Sequence, residues 1–180
     1  MKTLQFALIT GVLLMLPAMA GAQDVKIDFD KAYNFAPVKT YSIKIATTWG
    51  NDLSQRRVLA EFDGAIAAKG WKKVAEGQSD IVVLLHGATT TKREANTFYS
   101  GGYGGYGYRG FGGMGGTAST VVNEYIIGTL VVDMFDAKTK NLVFRGTAED
   151  EISDKADKNA KKLEKASEKM FKNFPPTAKK

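Results

Sequence analysis

The 180-residue sequence contains no cysteine and a single histidine, His86. Without cysteine the chain forms no disulfide, no thiolate–metal site and no cysteine nucleophile. It also lacks the residue that carries the lipid of a bacterial lipoprotein, so no lipid anchor is expected. His86 has no partners at metal-ligand spacing, and its place at the end of an apolar run suits a hydrogen-bonded, half-buried residue. Long apolar runs are equally scarce: past Leu16 no stretch approaches the ~20 apolar residues of a membrane-spanning helix. There is no G-x-S-x-G elbow, and no glycine of the glycine-rich tract precedes Lys-Ser or Lys-Thr. No catalytic constellation, metal or cofactor is expected.

What is present begins at the N-terminus. Lys2 precedes an uncharged apolar run from Leu4 to Leu16, Pro17 breaks it, and Ala18, Ala20 and Ala22 follow. That is the layout of a signal peptide over residues 1–22, cleaved before Gln23, with Ala18-Met19-Ala20 as the alternative site. The expected location is the periplasm, with outer-membrane association left open. Cleavage leaves 158 residues (180 minus 22), enough for one domain stabilised by its core alone. That domain is expected over 23–176, with a disordered tail over 177–180.

The net charge of +6 is concentrated near the C-terminus, where residues 151–180 hold nine lysines against five acids. An anionic envelope surface is one partner this suggests; a solvated helix face is the plainer reading.

Val25, Ile27 and Phe29 alternate with charged residues, as do Tyr41, Ile43 and Ile45 with Ser42 and Lys44, giving two strands. Asn51 or Asp52 caps a helix predicted to reach Lys69, with Val58, Leu59, Phe62, Ala65 and Ile66 as its apolar stripe. Gly70 suits the left-handed position past the helix end, and Trp71 the apolar contact that accompanies it. A short strand near Lys72–Val74 is optional. The apolar run Ile81–Leu85 predicts a strand buried on both faces, continuing through His86 to Lys92 or beyond. Val121–Phe135 and Leu142–Ala148 flank the polar turn Asp136–Asn141 as a hairpin. Ser153 or Asp154 caps a last helix whose stripe is Ala156, Ala160, Leu163, Ala166, Met170, Phe171 and Phe174, ended by Pro175-Pro176. The order β-β-α-β-β-β-α implies an α+β two-layer sandwich: a mostly antiparallel sheet with two amphipathic helices on one face.

The exit AAKGW, the strand SDIVVLLH, the segment GTLVVDMFDAKTKNLVFRGTA and the closing FPP resemble a secreted bacterial family, domain of unknown function 4136. The resemblance covers nearly the whole chain after the leader. It implies export and no assigned activity, and it transfers no catalytic residue. The family is often lipidated; this chain lacks the cysteine, which implies a periplasmic rather than tethered protein.

One segment stands apart. Tyr99–Thr117 reads YSGGYGGYGYRGFGGMGGT, with ten glycines, four tyrosines, one arginine and no acid. It matches G-x-G-x-x-G formally, but no helix follows, so the dinucleotide reading fails. Nucleic acid is not an expected partner, because the chain is exported and Arg109 is the tract's one cation. The tract is expected to be a long flexible loop between strands, costly to order because glycine loses most backbone freedom. Tyr99, Tyr103, Tyr106, Tyr108, Arg109 and Phe111 are the candidate contact residues, since tyrosine offers large amphipathic area. Asp133, Asp136 and the cluster Glu149-Asp150-Glu151 are weak calcium candidates, more simply solvated acids. The expected function is a non-catalytic envelope module that binds an envelope protein or serves as a structural part. The alternatives are an envelope hydrolase using acids at the sheet rim with His86 or Asp133, and a lipid-binding protein using the sheet–helix interior.

Overall fold

Alternation and helical periodicity resolve into eight elements: β1 (Asp24–Phe29), β2 (Thr40–Ile45), α1 (Asp52–Ala67), β3 (Lys72–Lys73), β4 (Ile81–Ser100), β5 (Thr117–Asp136), β6 (Leu142–Glu151) and α2 (Ala156–Phe171). The computed structural model describes residues 23–47, 49–100 and 117–176, of which 99, 100, 117 and 118 by backbone alone. The leader expected over 1–22, the tail over 177–180, and Tyr103, Tyr106, Tyr108, Arg109 and Phe111 lie outside the described residues.

The strands form one six-stranded sheet in the order β1-β6-β5-β4-β2-β3. β2 runs parallel to β3 and β4, and every other pairing is antiparallel. The α+β class and the element order agree with the pattern read from the sequence, and β3 is the optional short strand. Both helices pack on one face. From α1 come Phe62 and Ile66, and from α2 Ala166, Met170 and Phe171. They meet Tyr41, Ile81, Val83, Leu85, Val132, Met134 and Phe144 of the sheet in a single core.

Local signals explain most boundaries. Asn51 Oδ1 accepts from the Ser54 N–H at 2.9 Å, an N-cap that satisfies one orphan donor. α1 ends at Ala67, two residues short of Lys69, because Lys69 and Gly70 donate to Ile66 and Ala67 in a tightened last turn. Gly70 then takes φ +89°, where a side chain would be strained. Trp71 enters the core, edge-on to Phe174 with ring centres 5.0 Å apart. Phe174 also meets Phe144 and Phe171, which anchors the chain after α2.

Three expectations are corrected. Ile81, Val83 and Leu85 are fully buried, but Val82 and Leu84 are only half-buried, because both helices cover the same face of the sheet. Neither Ser153 nor Asp154 caps α2; Lys155 holds that position, without a side-chain bond. The Asn159 amide instead grips Ser153, accepting from its N–H at 2.8 Å and donating to its carbonyl at 2.7 Å. Finally, Tyr99 and Thr117 do not belong to the loop: β4 runs through Ser100 and β5 starts at Thr117. Ladder pairing out to Ser100–Thr117 satisfies backbone groups that a loop would leave to water.

Candidate functional site

Three places combine exposure with unusual chemistry. The first is a ribbon. β4 and β5 pair over 20 positions, but β2 stops opposite Leu85 and β6 stops opposite Ile127. The Ile152 N–H still bonds the Ile126 carbonyl, so the pairs from Lys92–Tyr125 to Ser100–Thr117 project as two strands alone, ~30 Å at the usual rise per residue. A lone two-stranded hairpin is marginal in water. Its cross-strand support includes an Arg93–Glu124 ion pair at 2.6 Å and a Thr97–Thr120 hydroxyl bond at 3.1 Å. Apolar side chains on it and at its base are left in solvent: Phe98 is 65% exposed, Val122 57%, Ile126 49% and Val121 46%. Tyr99 is the candidate contact residue whose backbone lies within the ribbon.

The second place is on the sheet face away from the helices. Asp133 is buried at 4% side-chain exposure although that face carries no helix. Arg145, its partner across β6, grips both carboxylate oxygens at 2.6 and 2.7 Å and keeps them from water. The carboxylate in turn raises the Arg145 pKa by hydrogen bonding and charge. His86 Nε2 stands 3.8 Å from Asp133, and its Nδ1 meets the Thr47 hydroxyl at 2.9 Å. The two residues named for the hydrolase reading are thus brought together. A guanidinium occupying both oxygens nevertheless makes the pair a structural clasp rather than a free base.

The third is a groove of about 620 Å³ on the helix face, between the first turns of α1 and α2. Trp49, Leu53, Val58, Leu130, Ile152 and Leu163 line it. Trp49 lies flat over Gly87, where an added Cβ would stand 2.2 Å from the indole. Ala156 and Ala160, expected to be buried with the α2 stripe, are exposed along this groove, because the core ends at Ala166. Gln23 Oε1 is buried beside it without a hydrogen-bond partner.

The remaining acids have local roles. Asp136 accepts from the Lys138 and Thr139 N–H groups and from the Tyr33 hydroxyl, which hold its pKa below the usual carboxylate range. Asp150 pairs with Lys162 at 2.9 Å. Among the described residues no group of three or more His, Cys, Asp or Glu side chains is placed to hold a metal. No helix among them is long and apolar enough to cross a membrane.

Sequence reading missed Arg145, Trp49 and the length of the ribbon. Arg145 was out of reach of simple counting: outward from the Asp136–Asn141 turn, Asp133 would fall opposite Phe144, and a register shift between Met134 and Phe135 sets it opposite Arg145 instead. Trp49 and the groove carried no local signal.

Comparison with known proteins sets this geometry in a family. Among curated proteins none matches the sequence. A DUF4136 family protein from Bacteroides thetaiotaomicron superposes with TM-score 0.53 at 15% identity, covering 87% of this chain and 98% of that one. A PDZ domain protein from Parabacteroides distasonis gives TM-score 0.52 at 11% identity, over 85% of this chain. This chain spans only 35% of that protein's length. Both likenesses are of fold alone. Residues 25–176 match the family described as domain of unknown function (DUF4136), and the chain belongs to that family.

Proposed function

We propose that this chain is a non-catalytic interaction module of the bacterial cell envelope, exported by residues 1–22 and working from the periplasm. Its contact element is the β4–β5 ribbon, which meets another polypeptide along its strand edges, together with the Gly/Tyr tract that lies between the two strands in the sequence. The observation that carries this reading is the ribbon itself: two strands alone, projecting beyond the sheet, with Phe98, Val121, Val122 and, at its base, Ile126 in solvent. Natural proteins usually blunt or cover such edges, so an uncovered one is a surface for strand addition. The test is a photoreactive residue at Phe98, compared in cells with one at Lys158 on the exposed face of α2. A discrete adduct with a polypeptide at Phe98 alone supports the module. Equal labelling at both sites, or none at Phe98, sinks it. Fractionation with N-terminal sequencing checks the compartment: the mature chain should begin at Gln23 in the periplasmic fraction.

A second reading rests on the groove. Its volume lies in the range of small-molecule sites, and its apolar lining suits one acyl chain. Native mass spectrometry of the purified protein should then show a bound lipid, and lysophospholipid should shift Trp49 fluorescence. A bare mass and an unmoved spectrum remove this reading.

A further inference from the structure

We propose that the outer edge of β4 pairs antiparallel with the same edge of a second copy of this chain, about a two-fold axis at Arg93. This rests on the reading of the ribbon as a contact element and names its partner. From Ala88 to Phe98 every residue of β4 is exposed, and its one strand partner is β5, on the other side. The segment, ATTTKREANTF, has no proline, no glycine and no bulge to spoil an added strand.

Charge selects the register. A two-fold axis perpendicular to the sheet sets directly opposed residues on the same face, so the axis passes midway between the two copies of one β4 residue. Centred on Lys92 it opposes two lysines, and centred on Glu94 it opposes two glutamates. Centred on Arg93 it places Lys92 of each copy against Glu94 of the other, twice over. The two Arg93 side chains then face each other on the opposite side, each already neutralised by Glu124 at 2.6 Å. The same register sets Phe98 on Ala88, Asn96 on Thr90 and Thr97 on Thr89. Phe98 is the most exposed large apolar side chain described, and it gains an apolar neighbour. Lysine and arginine on an edge ordinarily repel an incoming strand. Here the glutamate beside them turns that guard into a match for a second copy.

The absence of cysteine makes the register directly readable. In the purified full chain, Arg93→Cys should oxidise to a disulfide-linked dimer, since directly opposed strand positions stand within disulfide reach. Thr97→Cys should stay monomeric, because the two copies of that position lie eight residues apart along the ladder. Light scattering should report a dimer for the wild type. Glu94→Lys should weaken dimerisation at least about tenfold, a loss of about 1.4 kcal/mol. The double variant Lys92→Glu with Glu94→Lys should restore it. All four positions are exposed, so circular dichroism should report an unchanged fold. A wild type that stays monomeric, a disulfide at residue 97 but not 93, or a double variant that fails to recover overturns the pairing. A monomer whose Phe98 photoprobe still captures a different polypeptide overturns self-pairing and leaves the interaction module standing. Absence of both dimer and adduct sinks the two together.

Discussion

Replacing Gly146 by alanine tests the seat of the core most directly. Gly146 lies on the helix-side face of β6, opposite Ile27 and Val132, and the Met170 thioether occupies the space a side chain would take. A Cβ there would stand 2.2 Å from Sδ, 2.6 Å from Cγ and 2.8 Å from Cε. Three consecutive side-chain atoms must therefore move, and Met170 is 1% exposed, with no route to solvent. Overpacking of this kind costs about 1–3 kcal/mol. The smaller entropy of the unfolded alanine chain offsets about 0.4–1 kcal/mol of it. The net expectation is a loss of about 1–2 kcal/mol, which lowers the melting temperature of a domain this size by about 2–8 °C. Urea denaturation should show the midpoint falling with the slope unchanged. Met170→Ala alone should cost about 2–5 kcal/mol. In that background the three conflicting atoms are gone, so Gly146→Ala should be neutral or stabilising. An alanine equally costly in both backgrounds, or harmless in the wild type, would refute the reasoning.

Three further outcomes are expected. Arg145→Met should cost about 1–3 kcal/mol in urea denaturation, because the buried Asp133 carboxylate loses both donors. Adding Asp133→Leu should recover most of that, and a double variant as weak as the single one contradicts the clasp. Asp80 accepts from the Lys39 and Thr40 N–H groups and the Thr40 hydroxyl, so its folded pKa lies below the unfolded one. Its stabilisation is complete above the usual carboxylate pKa of about 4 and drains as pH falls through the lowered value. The melting-temperature gap between wild type and Asp80→Asn should accordingly narrow from about pH 7 to about pH 2.5; a constant gap contradicts the linkage. Gly87→Ala should displace the Trp49 indole and red-shift its emission while Trp71 stays buried. An unshifted spectrum means that the indole does not lie over Gly87.

The α1 segment was legible because its signals are local: a capping asparagine, a stripe at spacings of three and four, and a glycine past the end. The β5–β6 hairpin was legible for the same reason, with alternation on both sides of a six-residue polar turn. The ribbon was legible only at its base, to Lys92 on β4 and from Val121 on β5. Polar positions such as Glu94, Asn96 and Thr97 look the same in a projecting strand as in a loop, and pairing with residues 117–126 is set by register rather than composition. The α2 stripe misled in part. Periodicity says that Ala156 and Ala160 share a face with Met170, but how far the sheet reaches beneath that face is a tertiary fact. Asp133 shows the same limit from the other side: its burial comes from the Arg145 side chain laid over it, not from the apolar sequence around it.

The placing of β4 and β5 at the middle of the sheet also governs how the domain bears load. A pull at the ribbon's tip enters along the axes of the two central strands. It is opposed in shear by the β4–β2 ladder on one side and the β5–β6 ladder on the other. Rows of hydrogen bonds loaded lengthwise must break nearly together, whereas an edge hairpin would peel away one pair at a time. Resistance to forced unfolding depends on the unfolding barrier rather than on equilibrium stability. The topology thus suits a ribbon through which tension is passed to a body that does not unravel.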